Sequence, residues 1–560
     1  MLQVRLDDDY RTAALQRAQG KPAVLIVVGG GVTGAGIALD AATRGLSVTL
    51  VEATDFAAGT SSRSSKLLHG GLRYLEQLDL RLVTDALRER NLQLRTIAPH
   101  LARPMPFLLP LQHAGRDRAY LGLGVAAYGT LARIGDDRLL PGHRHLGRAG
   151  AARIAPSIDW TRYHGAVRYY DAQVDDARHT LELVRTAATY GATVLNRMRV
   201  TSLLRDGDRV VGVAAQDTET GNTHSLRSDV VINAAGPWAP SVDNETGQPM
   251  ALRPSKGVHL MVPRHLIDLD GGLISRTAKS VLFVIPWGPC WLIGTTDTPW
   301  DGVDREVTAD PDDVTYLLDE LNALLRQPIR AADVIATFAG LRPLAGAETS
   351  DTTRISRDHT VTTRPGMVTI LGGKYTTYRR MASDAVDAAA AQLPGNVPPS
   401  CTKTVPLIGA QGFTAAWQAR HALAERWDVD VATAERLLRR YGALTGEVLA
   451  PAQRDRTLLE PAEPGSRYLR AEVLYAATHE GARSLQDVLA RRTRISLETA
   501  SGGLDNLTDT GHLIGEALGW DQPRIHTEQE LYRAWLRNER HALHALDGPR
   551  GHALASRAGA

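Results

Sequence analysis

Three glycines, Gly29, Gly31 and Gly34, stand at the spacing G-x-G-x-x-G, and Glu52 follows about twenty positions later. These residue types at this spacing suit a dinucleotide. Gly29 permits a tight turn, Gly31 lets the backbone approach a pyrophosphate, and Gly34 lets a helix pack closely on a strand. A helix N-terminus after such a turn offers unpaired N–H groups to phosphate, while Glu52 can accept from ribose hydroxyls and disfavours a 2′-phosphate. A second cluster follows. Ser61, Ser62, Ser64 and Ser65 supply hydroxyls and closely spaced N–H groups, with Lys66, His69 and Gly70 beside them. Arg73 and Tyr74 then offer a guanidinium, which grips phosphate strongly, and a phenol. Further along, Arg342 sits in Gly340-Leu341-Arg342-Pro343, Lys374 follows Gly372-Gly373, and His259 closes Lys256-Gly257-Val258-His259. A histidine has the ordinary pKa of a general base near neutrality.

The elements that must hold these residues can be read around them. Ala23 to Val28 is a short, β-branched apolar run, the mark of a buried parallel strand. Thr33 to Arg44 carries helical spacing, Gly45 stops it, and Ser47 to Glu52 reads as a second strand, giving a βαβ unit. Asp176 to Tyr190 reads as an amphipathic helix with Asp176 as its N-terminal charge, and Thr193 to Leu203 as a strand. Asp229 to Asn233 runs as a strand into Ala234-Ala235-Gly236, and Val368 to Leu371 into Gly372-Gly373. Three strand-then-glycine returns predict one nucleotide domain assembled from separated segments, 21–95, 165–240 and 340–395, with 96–164 and 241–339 forming a substrate domain. Strand patterns from Gly257 to Val262 and Val281 to Ile293 belong to the latter. Residues 1–20 form an extension without an assigned role. Residues 396–560 are helix-rich and predict a helical cap, with Arg491-Arg492-Thr493-Arg494 as one of its solvated or packing faces.

Composition excludes several classes. The 560 residues are too many for one core, and a net charge of +2 on 64 basic and 62 acidic residues gives no field for nucleic acid. Two cysteines make neither a disulfide framework nor a metal cluster, which fits a reducing compartment, so no metal is expected. The N-terminus lacks the apolar core of a signal peptide, and no run reaches the roughly 18 apolar residues of a spanning helix. Residues 120–131 are apolar, aromatic-edged and flanked by arginines, which suits either an interfacial segment on anionic lipid or an internal helix. Only Lys21, Lys66, Lys256, Lys279, Lys374 and Lys403 are lysines, so a lysine inside a Gly-Gly-Lys turn is notable.

The run Val28 to Asp40 with Arg44-Gly45 resembles the first signature of the FAD-dependent glycerol-3-phosphate dehydrogenases, and Gly372-Gly373-Lys374-Tyr375-Thr376-Thr377-Tyr378-Arg379 resembles the second. Thr60 to Leu75, Val174 to Arg178, Ile285-Pro286-Trp287, Gly294 to Asp297 and Gly340 to Pro343 are similar to the same family, in order. The resemblance implies a glutathione-reductase-like, Rossmann-type α/β domain for non-covalent FAD, an antiparallel substrate sheet and a C-terminal cap. It also implies oxidation of glycerol 3-phosphate, peripheral attachment to the inner face of the cell membrane, and delivery of electrons to quinone. An oxidase using O₂ and a non-catalytic flavoprotein are the rival readings, and a homodimer is left open. On this reading the cofactor is held by Gly29, Gly31, Gly34, Glu52, Ser61, Ser64, Ser65, Lys66, His69, Gly70, Val200, Ala235, Gly236, Gly373, Lys374 and Tyr375. Arg73, Tyr74, Arg342, Lys374 and Thr376 hold the substrate. Arg342 and Lys374 would grip a dianionic phosphate and stabilise a reduced, anionic flavin, and Arg342 could instead stabilise the developing alkoxide. His259 is the first candidate for the base that takes the hydroxyl proton, His69 the second.

Overall fold

A computed structural model describes residues 4–71, 80–113, 115, 139–243, 252–277, 281–302, 306–345 and 358–547. The glycine motif lies where its spacing put it. The strand Ala23–Val28 runs into the helix Val32–Thr43, and the chain returns as Val48–Val51, parallel to the first strand. Thr223–Asn233 lies parallel on the other side of the first strand, and Met367–Gly372 lies parallel beyond that. The three glycine-bearing segments therefore leave neighbouring strands at one edge, which is where a doubly wound sheet binds its ligand. Thr193–Leu195 extends the sheet past Val48–Val51, and His359–Arg364 closes its other side antiparallel. Leu25, Val27, Leu50 and Ile232 are at 0 % exposure, each stabilising by about 1.5–3 kcal/mol.

A second, largely antiparallel sheet lies beside the first. Leu252–Pro263 pairs with Ala336–Ala345 along their length, from Leu252 opposite Ala345 to Met261 opposite Ala336, and with Cys290–Gly294 on its other side. Leu67–Leu68, Arg103–Pro110 and Gly165–Gln173 complete its far half. Sheet membership thus cuts across the boundaries read from sequence. Gly165–Gln173 and the whole of Ala336–Ala345 pair here and not in the nucleotide sheet. A strand's own residues do not say which partner it will pair with. The strand expected from Thr193 to Leu203 is likewise two, Thr193–Leu195 and Met198–Asp206, because Arg197 takes a left-handed φ of 57° between them.

The C-terminal region is helical, with Val431–Tyr441 capped by Asp430 and Gln522–Glu539 capped by Asp521. Later in this region the helix Arg470–His479 is followed by a wider turn, Asp487–Arg492. The N-terminal extension is a helix, Asp8–Gly20, and it ties two regions together. Tyr10 Oη donates to Ala192 O and receives the Val194 N–H at the nucleotide sheet, while the Leu6 N–H donates to His479 O and Asp8 pairs with Arg483 in the helical region. Among the described residues no helix is long and apolar enough to cross a membrane.

Candidate active site

The edge of the nucleotide sheet is shaped by what cannot be there. A Cβ on Gly34 would stand 1.9 Å from Gly29 O, and one on Gly29, at φ 109°, would stand 2.7 Å from Ala234 O. Those two glycines close the backbone. A Cβ on Gly31 would meet only Ser61, its Oγ at 3.1 Å, so this position opens onto space. The helix behind it has no side-chain cap, leaving N-terminal donors for a ligand, although the Val32 N–H is spent on Ser61 Oγ at 2.8 Å. Glu52 is half-buried, accepts the Gly30 N–H at 2.6 Å and the Thr54 N–H at 2.9 Å, and burial raises its pKa. Ala235 and Gly236 follow the neighbouring strand, Gly236 at φ 58°, and Gly372 and Gly373 follow the next at φ 75° and 77°. Such an edge fits a dinucleotide whose pyrophosphate sits on the helix N-terminus.

Beyond the edge, His69 and Thr376 hold each other. Thr376 Oγ1 receives the His69 N–H at 3.1 Å and faces His69 O at 3.3 Å, which fastens the second glycine turn to the end of Leu67–Leu68 next to buried Gly70. Tyr375 Oη donates to Asp176 O at 2.7 Å and lies 3.0 Å from His179 Nδ1. Burial holds His179 down at about 3 and Tyr375 well above the ordinary phenol range. The Lys374 ammonium is buried in the same turn. Val200 packs into the cluster of Ile26, Val28 and Val51 on the nucleotide sheet. Arg73 and Tyr74 lie outside the described residues, as do residues 120–131.

Reactive side chains come from the second sheet. His259 stands directly across from Phe338, and Ser255 across from Arg342, so alternation puts His259, Phe338 and Arg342 on one face. The rings of His259 and Phe338 stack at 4.9 Å with 12° between their planes. Gly294 makes room for the imidazole, since a Cβ there would lie 2.4 Å from His259 Cδ2. Gly340 does the same for the serine loop, whose Arg63 would be 2.9 Å from its Cβ. The loop is fixed on this strand by Thr60 Oγ1 donating to Leu341 O at 2.6 Å and Arg63 to Ala339 O at 3.1 Å. It brings Ser65 Oγ to 2.9 Å from His259 Nε2. His259 Nδ1 is buried and has no hydrogen-bond partner among the described residues. Burial, then the charges of Arg342 and Lys66, hold this histidine well below its ordinary pKa, so it is a neutral imidazole near pH 7. Arg342 donates to Thr295 Oγ1 at 2.9 Å and Thr296 O at 3.0 Å, pairs with Asp297 at 3.3 Å, and stays about one-fifth exposed. Lys256 is drawn away from this face by Asp310 and Asp313.

Ser64 and Lys66 differ most from their sequence reading. Both turn to Asp176: Ser64 donates to it from N at 2.9 Å and Oγ at 2.7 Å, and Lys66 Nζ lies 2.9 Å from its Oδ1. Both side chains are engaged by this one carboxylate. A carboxylate at 0 % exposure requires donors, and Asp176 takes these together with Arg494. The arginine run of the C-terminal region is a packing face, not a solvated one. Arg491 and Arg492 pair with buried Asp55, just past Glu52, and Arg494 spans Asp175 and Asp176. Against the desolvation that burial imposes, Arg492 and Arg491 hold Asp55 far below the carboxylate range. Nothing local in the sequence pairs Asp55 with Arg491 and Arg492, or Asp176 with Arg494, since these partners lie more than 300 positions apart.

Comparison with known proteins agrees with this geometry. Residues 25–379 match a family model described as FAD dependent oxidoreductase, and residues 400–525 one described as the C-terminal domain of alpha-glycerophosphate oxidase. Glycerol-3-phosphate dehydrogenase 2 of Mycobacterium tuberculosis is 46% identical over 532 residues, 94% of this chain and 90% of the relative. The mitochondrial glycerol-3-phosphate dehydrogenase of Mus musculus is 36% identical over 95% of this chain and 76% of its own. A crystal structure of the glycerol-3-phosphate dehydrogenase from Bacillus halodurans complexed with FAD superposes with a TM-score of 0.78 at 30% identity, covering 95% of this chain and 98% of that one. FAD is therefore the dinucleotide for which the Gly29–Gly34 turn is shaped, and this chain belongs to the FAD-dependent glycerol-3-phosphate dehydrogenase family.

Proposed function

We propose that the protein oxidises the secondary alcohol of sn-glycerol 3-phosphate to the ketone of dihydroxyacetone phosphate and passes the electrons to a membrane quinone. The observation that carries the reading is His259: a buried, neutral imidazole with one ring nitrogen held by Ser65 and the other without a partner among the described residues. If Nε2–H donates to Ser65 Oγ, Nδ1 is the free acceptor and takes the hydroxyl proton, the tautomer being set by the bond at the other nitrogen. Arg342, on the same sheet face and still partly exposed, holds the phosphate or the oxygen that loses its proton. Lys374 and, outside the described residues, Arg73 and Tyr74 complete the anion's contacts. Bound FAD supplies the acceptor for the hydride that leaves C2. The names of the relatives supply the substrate, and the cations make a phosphate-bearing alcohol a better fit than an amine or a plain hydroxy acid.

The test is anaerobic mixing of the FAD-loaded protein with glycerol 3-phosphate. Bleaching of the flavin band by this substrate and not by glycerol or lactate is expected, and an unchanged band would sink the reading. Reoxidation of the bleached protein by a soluble quinone, faster than by air, is expected for the acceptor; reoxidation by air at the same rate would favour an oxidase. We further propose peripheral attachment at the cytoplasmic face of the cell membrane through residues 120–131. A Tyr120→Asp/Leu123→Asp variant should leave washed membranes at salt that retains the wild type, and equal partitioning would count against it.

A further inference from the structure

Lys66 is a buried cation that its surroundings do not need for charge balance. Its ammonium is at 0 % exposure, 2.9 Å from Asp176 Oδ1 and 3.0 Å from Ser62 O. Asp176 and Asp175 already have two guanidiniums, because Arg494 binds both and Arg440 binds Asp175 at 2.8 Å. The next carboxylate, Glu472, has Arg436 at 2.6 Å. Four cations thus meet three anions, and Lys66 is the surplus one. Burying an ammonium is costly even beside a carboxylate it shares with a guanidinium, and here the cost falls beside the reactive face.

The side chain is aimed at that face. Lys66 Nζ lies 5.0 Å from the centre of the Phe338 ring and 5.4 Å from that of Trp287, distances at which an aromatic ring attracts a cation. Phe338 is the ring on which His259 stacks. The residue before Lys66 is Ser65, which holds His259 Nε2. One short loop therefore reaches the imidazole twice, through a hydroxyl on the ring nitrogen and through a charge on the ring next to it. Among the described residues the charges that act on His259 are Arg342, from the Ala336–Ala345 strand and paired with Asp297, and Lys66, from the loop and paired with Asp176; the Cys290–Gly294 strand meets the imidazole with Gly294. Both acting charges are positive.

We propose that Lys66, anchored by Asp176 and, through it, by Arg494 of the C-terminal region, is a positioning residue that adds to burial and Arg342 in disfavouring a proton on His259, through the face of Phe338 on which the imidazole stacks. The ammonium itself has a pKa lowered by burial to about 8, so the charge is present at neutral pH. This proposal rests on the reading of His259 as the base. The experiment is the pH profile of kcat/KM of FAD-loaded Lys66→Met and Lys66→Arg, with His259→Gln as control. Where the Met variant does not retain FAD, Lys66→Gln replaces it. Loss of the charge should move the acid limb upward by roughly one unit, while Arg, which keeps the charge, should leave the limb in place even if the rate falls. A titration of the His259 imidazole by NMR, its signal assigned by its loss in His259→Gln, should move by the same amount without reference to turnover. A limb and an imidazole titration unmoved in Lys66→Met would overturn the proposal, as would equal shifts in Met and Arg. Should His259→Gln retain wild-type turnover, the base reading falls; should it abolish turnover while Lys66→Met leaves the limb in place, only the role of Lys66 falls.

Discussion

The nucleotide edge and the His259 face solve recognition by opposite means. At the edge the work is done by backbone: glycines let main chain close on main chain, and helix donors face outward. On the His259 face it is done by side chains whose neighbours come from elsewhere, Phe338 across a strand pair and Ser65 from a loop 194 residues earlier in the chain. A cofactor site of the first kind tolerates almost no added atom. A reactive site of the second kind tolerates substitution structurally and fails chemically.

That contrast can be broken in graded steps. Gly34→Val should be the most severe change, since its Cβ meets the Gly29 carbonyl carbon and oxygen and no flexible group can yield; little soluble folded protein is expected. Gly31→Val should instead give a folded protein without FAD, seen as a normal melting transition with no flavin absorbance; a yellow Gly31→Val protein would undo the distinction drawn between the two glycines. On the other face, His259→Gln should retain FAD and lose about 10²–10⁴-fold in kcat, as removal of a general base does. Arg342→Ala should likewise retain FAD and lose about 10²–10³-fold, and wild-type kinetics in either would remove that residue from the site.

Smaller effects concern stability. His179 is neutral in the fold, with a pKa lowered by burial to about 3, below that of the unfolded chain near 6.5. The unfolded state then binds the extra proton between these values, so stability is lost as pH falls below about 6.5, by about 2 kcal/mol at pH 5. Melting at pH 7.5 and pH 5 in wild type and His179→Gln should show a smaller acid-induced drop in the variant. Asp8→Ala, which removes a half-exposed partner of Arg483, should cost under about 1 kcal/mol.

What could be read in the sequence follows the same division. The βαβ unit and its glycines are local, so spacing over residues 23–52 was enough to place them. His259, Arg342 and Lys374 could be singled out by neighbours such as Gly257 and Gly373, but not the register that sets His259 on Phe338. For Ser64 and Lys66 the loop's sequence shows donors and not their acceptor, Asp176. Arg491, Arg492 and Arg494 read as a solvated or packing face because a run of charge gives no hint that buried carboxylates await it.

Asp55 meets its partners Arg491 and Arg492 across 436 and 437 positions of chain. During synthesis the nucleotide edge leaves the ribosome early, with Asp55 and Asp176 lacking the guanidiniums that permit their burial. Asp55 gains those guanidiniums only once the chain has run on to the C-terminal helical region. A chain broken shortly before Arg491 would be long and would still leave Asp55 without either guanidinium.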